Sequence, residues 1–216
     1  MATWITHMRA AAHFMRLHPS LDNREFLVGN IAPDGGVLNP DRSTYTPDKS
    51  VTHFYAPGTM RIDAQRFAEE YLRERDARYP FYLGYYFHLL TDAAFSQWYA
   101  RKRQEPLYAE GLARDPQFIW EIKRDWYGQD RLYLQDHPDF VFYTMFAPIE
   151  SFPNLYFDFY PPQAFTLHVR RISEFYLDGK EDPQRAFPYL SKEEMDGLVE
   201  DAIQTLEHHL HTENLL

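Results

Sequence analysis

The stretch FYLGYYFHLLTDAAF, residues 81–95, places a histidine and an aspartate four positions apart in an aromatic, apolar run. Residues four apart lie on one face of an α-helix, with about 5–6 Å between their Cβ atoms, so His88 and Asp92 can reach the same ion. The same two residues can instead form a hydrogen-bonded pair in the core, because buried polar groups are mostly partnered. The stretch therefore predicts a buried helix and leaves both interpretations of the pair open.

Helical segments separated by proline-rich corners account for most of the remaining sequence, which contains no convincing alternating strand or internal repeat. A first helix is expected over residues 6–17, because Pro19 restricts the residue before it. The stretch VLNPDRSTYTPDKS, residues 37–50, is typical of a surface loop. No linker divides the chain, so the sequence predicts an all-α fold in a single domain over residues 1–216.

Capping residues mark the starts of the later helices. Asp63 and Asp115 each precede an apolar segment, and a side-chain oxygen at such a position accepts a hydrogen bond from a free backbone N–H group. Ser191 and Glu194 have the spacing of a capping box and are expected to begin the last helix. Pro80 suits the first position of the helix that contains the quoted stretch, where a missing N–H group costs nothing.

The composition restricts the classes of function. The chain has 216 residues, a formal net charge of -10, 44% hydrophobic residues and no cysteine. Nucleic acid is disfavoured as the main partner because its phosphates bind basic surfaces. Without cysteine, a metal must be bound by nitrogen and oxygen ligands. No apolar run approaches the roughly 18 residues of a membrane span, and the N-terminal segment lacks the apolar region of a signal peptide, so we expect a cytoplasmic protein without a membrane span.

Three other segments supply further candidate ligands. His7 lies near the start of the first helix, Asp34 lies in a turn, and His53 lies in a loop. Zinc is commonly bound by about four nitrogen and oxygen ligands at roughly 2.0–2.2 Å, and loop ligands can complete the set that a helical pair begins. The candidate metal ligands are therefore His7, Asp34, His53, His88 and Asp92.

Four motifs occur in a recognisable order over about the first half of the chain. They are THMRAAAHFM (residues 6–15), APDG (32–35), THFYAP (52–57) and the quoted stretch. In this order they resemble the zinc-dependent phospholipase C family, whose relatives include single-strand nucleases. That family has an N-terminal histidine helix, an aspartate turn, a His-Phe-Tyr loop and a long helix with a His-x-x-x-Asp pair. The resemblance implies a phospholipase C-like helical domain.

The resemblance also implies a ligand arrangement. One zinc ion would be bound by Asp34, His53, His88 and Asp92. Asp92 would bridge to a second ion that also binds His7. In the secreted relatives an N-terminal tryptophan binds this second ion through its amine and carbonyl, whereas Trp4 is not the first residue here, and the backbone near Met1 is the alternative.

The third ion site of the family is absent in its usual form. Trp98 stands where the family has a further histidine, and after the quoted stretch the next histidine is His137. Glu121 and Asp125, four apart, and Asp130 allow two interpretations: a carboxylate site suited to magnesium or manganese, or a solvated charged face. We expect one or two metal ions, with zinc as the first choice.

The remaining histidines and arginines have less specific patterns. His13 and His18 lie on other helix faces or beside a proline turn, and His168 is expected in the core. Arg170 and Arg171 either form surface pairs or contact a phosphate. The terminal histidines form either a metal-binding tract or a solvated helix end, and they are His208, His209 and His211.

These features favour a metal-dependent hydrolase of phosphate esters, phosphodiesterase-like, with a small or lipid-derived substrate. A bound cation polarises a phosphoryl oxygen and lowers the pKa of water toward about 7. Asp34 is the candidate catalytic residue, which orients that water or acts as its general base. One alternative is a non-catalytic helical binding or structural protein that retains a metal site. Another has no metal, with His88 and Asp92 as a buried pair.

Overall fold

The computed structural model describes residues 1–21, 23–39 and 44–215, and it is mostly helical, as the sequence predicts. The α-helices are α1 (Trp4–Leu17), α2 (Arg24–Gly29), α3 (Lys49–Thr52), α4 (Ala64–Tyr71), α5 (Tyr79–Lys102), α6 (Pro106–Arg114), α7 (Ile119–Asp136), α8 (Ala164–Leu177) and α9 (Lys192–Thr212). Shorter 3-10 helices cover Pro19–Leu21, Ala32–Asp34 and Pro116–Phe118, and a π-helix covers Phe142–Phe146.

The predicted caps are confirmed. The Asp63 side chain accepts a hydrogen bond from a backbone N–H of α4, and Asp115 does the same for the 3-10 helix that leads into α7. Ser191 and Glu194 form the expected capping box at the start of α9. Pro80 is the second residue of α5 and not the first, because the helix begins one residue earlier.

Two predictions about the first fifty residues are wrong in part. The first helix begins at Trp4, since the Thr3 hydroxyl caps it by accepting from the Thr6 N–H group at 3.4 Å. The predicted surface loop contains a two-stranded antiparallel sheet, β1 (Val37–Leu38) and β2 (Tyr45–Thr46), and it ends in the first residues of α3. Residues 40–43 of that stretch lie outside the described residues.

The fold is organised around α5, which is buried on all sides in its first half. Helix α2 crosses it at very short range, because a Cβ atom on Gly84 would lie 2.1 Å from the backbone oxygen of Phe26, and one on Gly29 would lie 2.1 Å from that of Phe81. Helices α1 and α9 pack against other faces of α5. In the part of the chain that the structure describes, we find no helix with the length and apolarity to cross a membrane.

Candidate metal centre

The five predicted ligands come together in the interior beside α5. His88 and Asp92 lie on its buried middle turns, and His7 lies in the first turns of α1. Asp34 ends the 3-10 helix after α2, while His53, predicted to lie in a loop, is the residue that ends α3. The rings and carboxylate of the helical residues are fully buried, and the Asp34 side chain is 8% exposed.

Facing ligand atoms in this centre lie at a nearly uniform separation. Asp92 Oδ2 is 3.5 Å from the Nε2 atoms of both His53 and His88, and Asp92 Oδ1 is 3.4 Å from His7 Nε2. Asp34 Oδ1 is 3.6 Å from His53 Nε2. Ligand atoms placed tetrahedrally about an ion at roughly 2.1 Å are about 3.4 Å apart, which is longer than a good hydrogen bond and close to these distances.

The hydrogen-bond status of these atoms tests whether the residues fit a cation. Both ring nitrogens of His7, Nε2 of His53 and of His88, and Oδ2 of Asp92 are buried and have no hydrogen-bond partner. A buried polar atom without a partner costs about 1–3 kcal/mol, and several of them facing one another indicate a missing positive partner. The buried groups His7, His88, Asp92 and Asp34, His53, His88 could thus hold a metal ion.

The second nitrogen of two ligand rings is held by the protein. His88 Nδ1 lies 2.9 Å from the backbone oxygen of Asn30, which can only accept, so Nδ1 carries the proton and Nε2 keeps a free lone pair. His53 Nδ1 lies 2.9 Å from the Thr52 hydroxyl. The next residue, Phe54, has a φ of 50°, a strained conformation for a residue with a side chain, and it ends α3 with His53 turned inward.

Further donors surround the carboxylates. The Trp4 indole N–H donates to Asp34 Oδ2 at 3.0 Å, and Lys49 Nζ lies 3.5 Å from Asp34 Oδ1. The backbone N–H of Ala2 donates to Asp92 Oδ1 at 2.7 Å. The start of the chain therefore contacts the His7 side of the centre through the backbone, and Trp4 contacts the opposite carboxylate through its side chain.

Electrostatics keep His7, Asp34 and Asp92 in the protonation states that a metal requires. Burial, with the neighbouring His88, lowers the pKa of His7 to about 4, so this ring is neutral at pH 7. Burial alone would raise the pKa of Asp34, but Lys49 and the nearby histidines hold it below its ordinary range. The pKa of Asp92 is also held well below its usual value, against burial, by the N-terminal amine and the surrounding histidines.

The α7 carboxylates lie elsewhere and do not gather around a common point. Asp125 and Asp130 are each 2% exposed, so the solvated-face interpretation is wrong for both, whereas Glu121 is exposed. Among the described residues, none of the three belongs to a group of potential metal ligands. A carboxylate substitute for the third ion site therefore has no geometric support in this part of the molecule.

The other histidines lie apart from the centre or serve packing. His13 faces Glu207 at 3.6 Å, and His209 pairs with Glu213 at 2.8 Å. His168 is buried, as predicted, and its ring packs edge-on against Trp4. No group of potential metal ligands found in the described ranges includes His13, His18, His168, His208, His209 or His211.

The sequence did not indicate several residues that shape the centre. Asn30 contributes through its backbone carbonyl, which carries no sequence signal. Lys49 lies four residues before His53, and Thr52 lies directly before it. If α3 had been recognised as a helical turn, Lys49 would have been placed on the same face as His53. Arg171 was one of two open candidates for phosphate contact, and it is Arg171, 3.4 Å from the Asp34 backbone oxygen, that reaches this region.

Comparisons of the chain with family models, with curated proteins and with solved structures gave no match. The interpretation of the centre therefore depends on its own geometry and on the motifs in the sequence.

Proposed function

We propose that the chain is a metal-dependent hydrolase of phosphate esters, of the phosphodiesterase-like kind that the resemblance to zinc-dependent phospholipase C implies. The observation that carries the proposal is the set of buried ring nitrogens and a carboxylate oxygen that face one another without partners. Asp34, at the edge of this set, also lines a cleft that can admit a small substrate. Metal ligands next to such a cleft are the usual arrangement for metal-assisted hydrolysis.

The donor set favours zinc. One ion would be held by Asp34, His53, His88 and Asp92. The second oxygen of Asp92 and Nε2 of His7 face a neighbouring position, where a second ion would have fewer protein ligands. Mixed imidazole and carboxylate ligands suit zinc, and manganese or magnesium is the alternative if carboxylate and water ligands dominate.

A bound divalent cation would supply polarisation of a phosphoryl oxygen and acidification of water. Asp34 would orient this water or accept its proton, because its carboxylate is ionised and the Trp4 indole fixes its orientation. Lys49, 3.5 Å from the same carboxylate, stabilises negative charge that develops on the phosphoryl oxygens.

Metal content and turnover test the proposal together. Protein purified without added metal should contain about one or two zinc ions per chain by elemental analysis. It should hydrolyse bis-p-nitrophenyl phosphate or p-nitrophenyl phosphate, lose this activity with a chelator and regain it with zinc. Asp34→Asn should lower kcat by about 10²–10⁴-fold, whereas the exposed control Asp201→Asn should not change it.

A metal-stabilised binding protein is the second candidate. It is favoured by Asp125 and Asp130, whose carboxylate oxygens all accept hydrogen bonds from the protein, so that the described part of α7 offers no third ion site. Stoichiometric metal without hydrolysis of either ester, in zinc, manganese or magnesium, would establish this candidate against the enzyme. Protein that binds none of these metals would exclude both.

A further inference from the structure

The cleft beside the metal centre has a charge opposite to that of the chain. Its volume is about 340 Å³, and it lies between the start of α1, the Asp34 turn, α3, α7 and α8. The chain carries a formal net charge of -10. Among the described residues that line the cleft, however, the cationic side chains are Lys49, Lys123 and Arg171, and the single carboxylate is Asp34. A cationic cleft in an acidic protein indicates an anionic ligand.

Arg171 is not neutralised by a carboxylate side chain among the described residues. Its Nη2 atom contacts the Asp34 backbone oxygen at 3.4 Å and His168 Nδ1 at 3.0 Å, and its Nε atom is buried without a partner. Burial, together with Arg171, lowers the pKa of His168 to about 3, so this neighbour is neutral. The guanidinium keeps its charge at the wall of the cleft.

Lys123 is in a similar position on α7. Its ammonium lies 4.9 Å from the centre of the Trp120 ring, which is a weak partner for a full charge. Lys123 and Lys49 both line the cleft, so the two ammonium groups face the same space. Lys49 itself is paired only loosely with Asp34, a partner that it would share with a bound metal.

Aromatic side chains form the rest of the cleft. Trp4 and Tyr127 are partly buried there, and Trp120 is 58% exposed at the rim. Aromatic faces bind planar or apolar groups and stack with the organic part of a ligand. The ligand that fits has an anionic end near Asp34 and an apolar or planar remainder.

We propose that this cleft binds a phosphate monoester, with its doubly charged phosphoryl group among Lys49, Lys123 and Arg171 and its organic group against the aromatic wall. The proposal rests on the phosphate-ester hydrolase function and replaces its diester substrate with a monoester. A phosphodiester has one negative charge and two free oxygens, whereas a monoester has two charges and three free oxygens for three cationic side chains. Charge-assisted hydrogen bonds to such a group are the strong ones.

Binding of two non-hydrolysable probes tests the proposal on the zinc-loaded protein. Phenylphosphonate, at a pH where it carries two negative charges, is compared with its monomethyl ester, which carries one, by calorimetry or by fluorescence of the tryptophans in the cleft. The dianion should bind at least about tenfold more tightly. Lys123→Met should remove most of this difference with metal content unchanged, because Lys123 is not among the candidate ligands.

Lys192→Met is the matched control, since Lys192 is 67% exposed and pairs with Asp196. Lys123→Gln repeats the test with a polar side chain, in case Met at this position perturbs folding. Equal binding of the two probes, or unchanged selectivity in both Lys123 variants, would overturn the monoester proposal even if the protein hydrolyses esters. Selective binding that depends on Lys123, without hydrolysis of any ester, would confirm the cleft and reject the enzyme.

Discussion

Two groups of buried titratable side chains in this protein differ in how far the fold itself satisfies them. In the candidate metal centre, the Nε2 atoms of three histidines and one oxygen of Asp92 face one another without hydrogen-bond partners. In the α7 group, both oxygens of Asp125 and of Asp130 accept short hydrogen bonds. Burial is equally complete in the two places, so burial alone does not distinguish a binding site from a structural one.

The α7 carboxylates connect distant parts of the chain. Asp125 accepts from Arg185 Nη1 at 2.6 Å and from the Tyr189 backbone N–H at 2.7 Å, which ties the segment before α9 to α7. Asp130 accepts from the Thr3 hydroxyl at 2.8 Å and from the Tyr176 hydroxyl at 2.5 Å. Each of these oxygens has its partner in the protein, whereas several facing atoms of the centre have none.

Removing a central ligand should have the largest effect. In His88→Ala, the centre loses the one ring whose free Nε2 atom is fixed by a backbone carbonyl. Loss of a supporting hydrogen bond alone typically costs 10–100-fold in metal affinity, so loss of the ligand itself should exceed about 100-fold. Elemental analysis after gel filtration should then show metal in the unmodified protein and almost none in the variant.

The control for this experiment is His209→Ala, because His209 pairs with Glu213 away from the centre. Its metal content should equal that of the unmodified protein. Equal metal content in His88→Ala would mean that His88 and Asp92 are a structural pair, and the contrast between the two groups of buried side chains would fail.

The pH dependence of stability tests the α7 side of the contrast. Burial raises the pKa of Asp130 to about 7. In the unfolded chain it should be about 3.9, so the native state holds an extra proton between these values. The resulting stability is present in full below about pH 4 and is lost as the pH rises through about 7, a change on the order of 4 kcal/mol.

Asp130→Asn removes this titration. The free energy of unfolding of the variant, relative to that of the unmodified protein, should therefore increase by several kcal/mol between about pH 4 and about pH 8. Urea unfolding of both proteins in the presence of a chelator measures the difference without a contribution from metal. A difference that is the same at both pH values would show that Asp130 has the same pKa in the folded and unfolded states, with the hydrogen bonds from Thr3 and Tyr176 offsetting its burial.

The sequence predicted the all-α class and the caps because helix periodicity and capping chemistry are local signals, and it predicted the residues that meet at the centre from the order of four motifs. It could not show that Asp125 and Asp130 are buried, since their partners Arg185, Thr3 and Tyr176 come from distant segments. The same is true of the Asn30 carbonyl, whose position depends on the crossing of α2 and α5. What separated the two groups was tertiary hydrogen bonding.

That crossing can be perturbed at one position. A Cβ atom on Gly84 would lie 2.1 Å from the Phe26 backbone oxygen and 2.8 Å from the Asn30 backbone nitrogen, so Gly84→Ala must push α2 away from α5. Overpacking of this kind costs about 1–3 kcal/mol, and here it also moves the carbonyl that orients His88. We expect a lower free energy of unfolding by chemical denaturation, together with weaker zinc binding.

Gly197→Ala is the matched control, because Gly197 lies within α9 and an added Cβ would meet no atom within 4 Å. There the same substitution should stabilise the protein by about 0.5–1 kcal/mol, since alanine favours the helix. If Gly84→Ala were as stable as Gly197→Ala, the two helices would have room to separate, and the backbone crossing would not be what holds the Asn30 carbonyl against His88.

The smallest expected effect on zinc affinity comes from removing a hydrogen-bond partner of a ligand ring. Thr52→Val removes the hydroxyl 2.9 Å from His53 Nδ1 but keeps the shape of the side chain, so His53 stays in place with its ring less firmly oriented. Zinc affinity, measured by competition with a chromogenic chelator, should fall by about tenfold, the lower end of the usual effect of such partners. Thr91→Val makes the same change at a buried threonine whose hydroxyl has no partner, and it should leave zinc affinity unchanged. Equal affinities in the two variants would mean that His53 is oriented by packing and by the turn at Phe54, and that the hydrogen bonds behind the ligands do not set the strength of the centre.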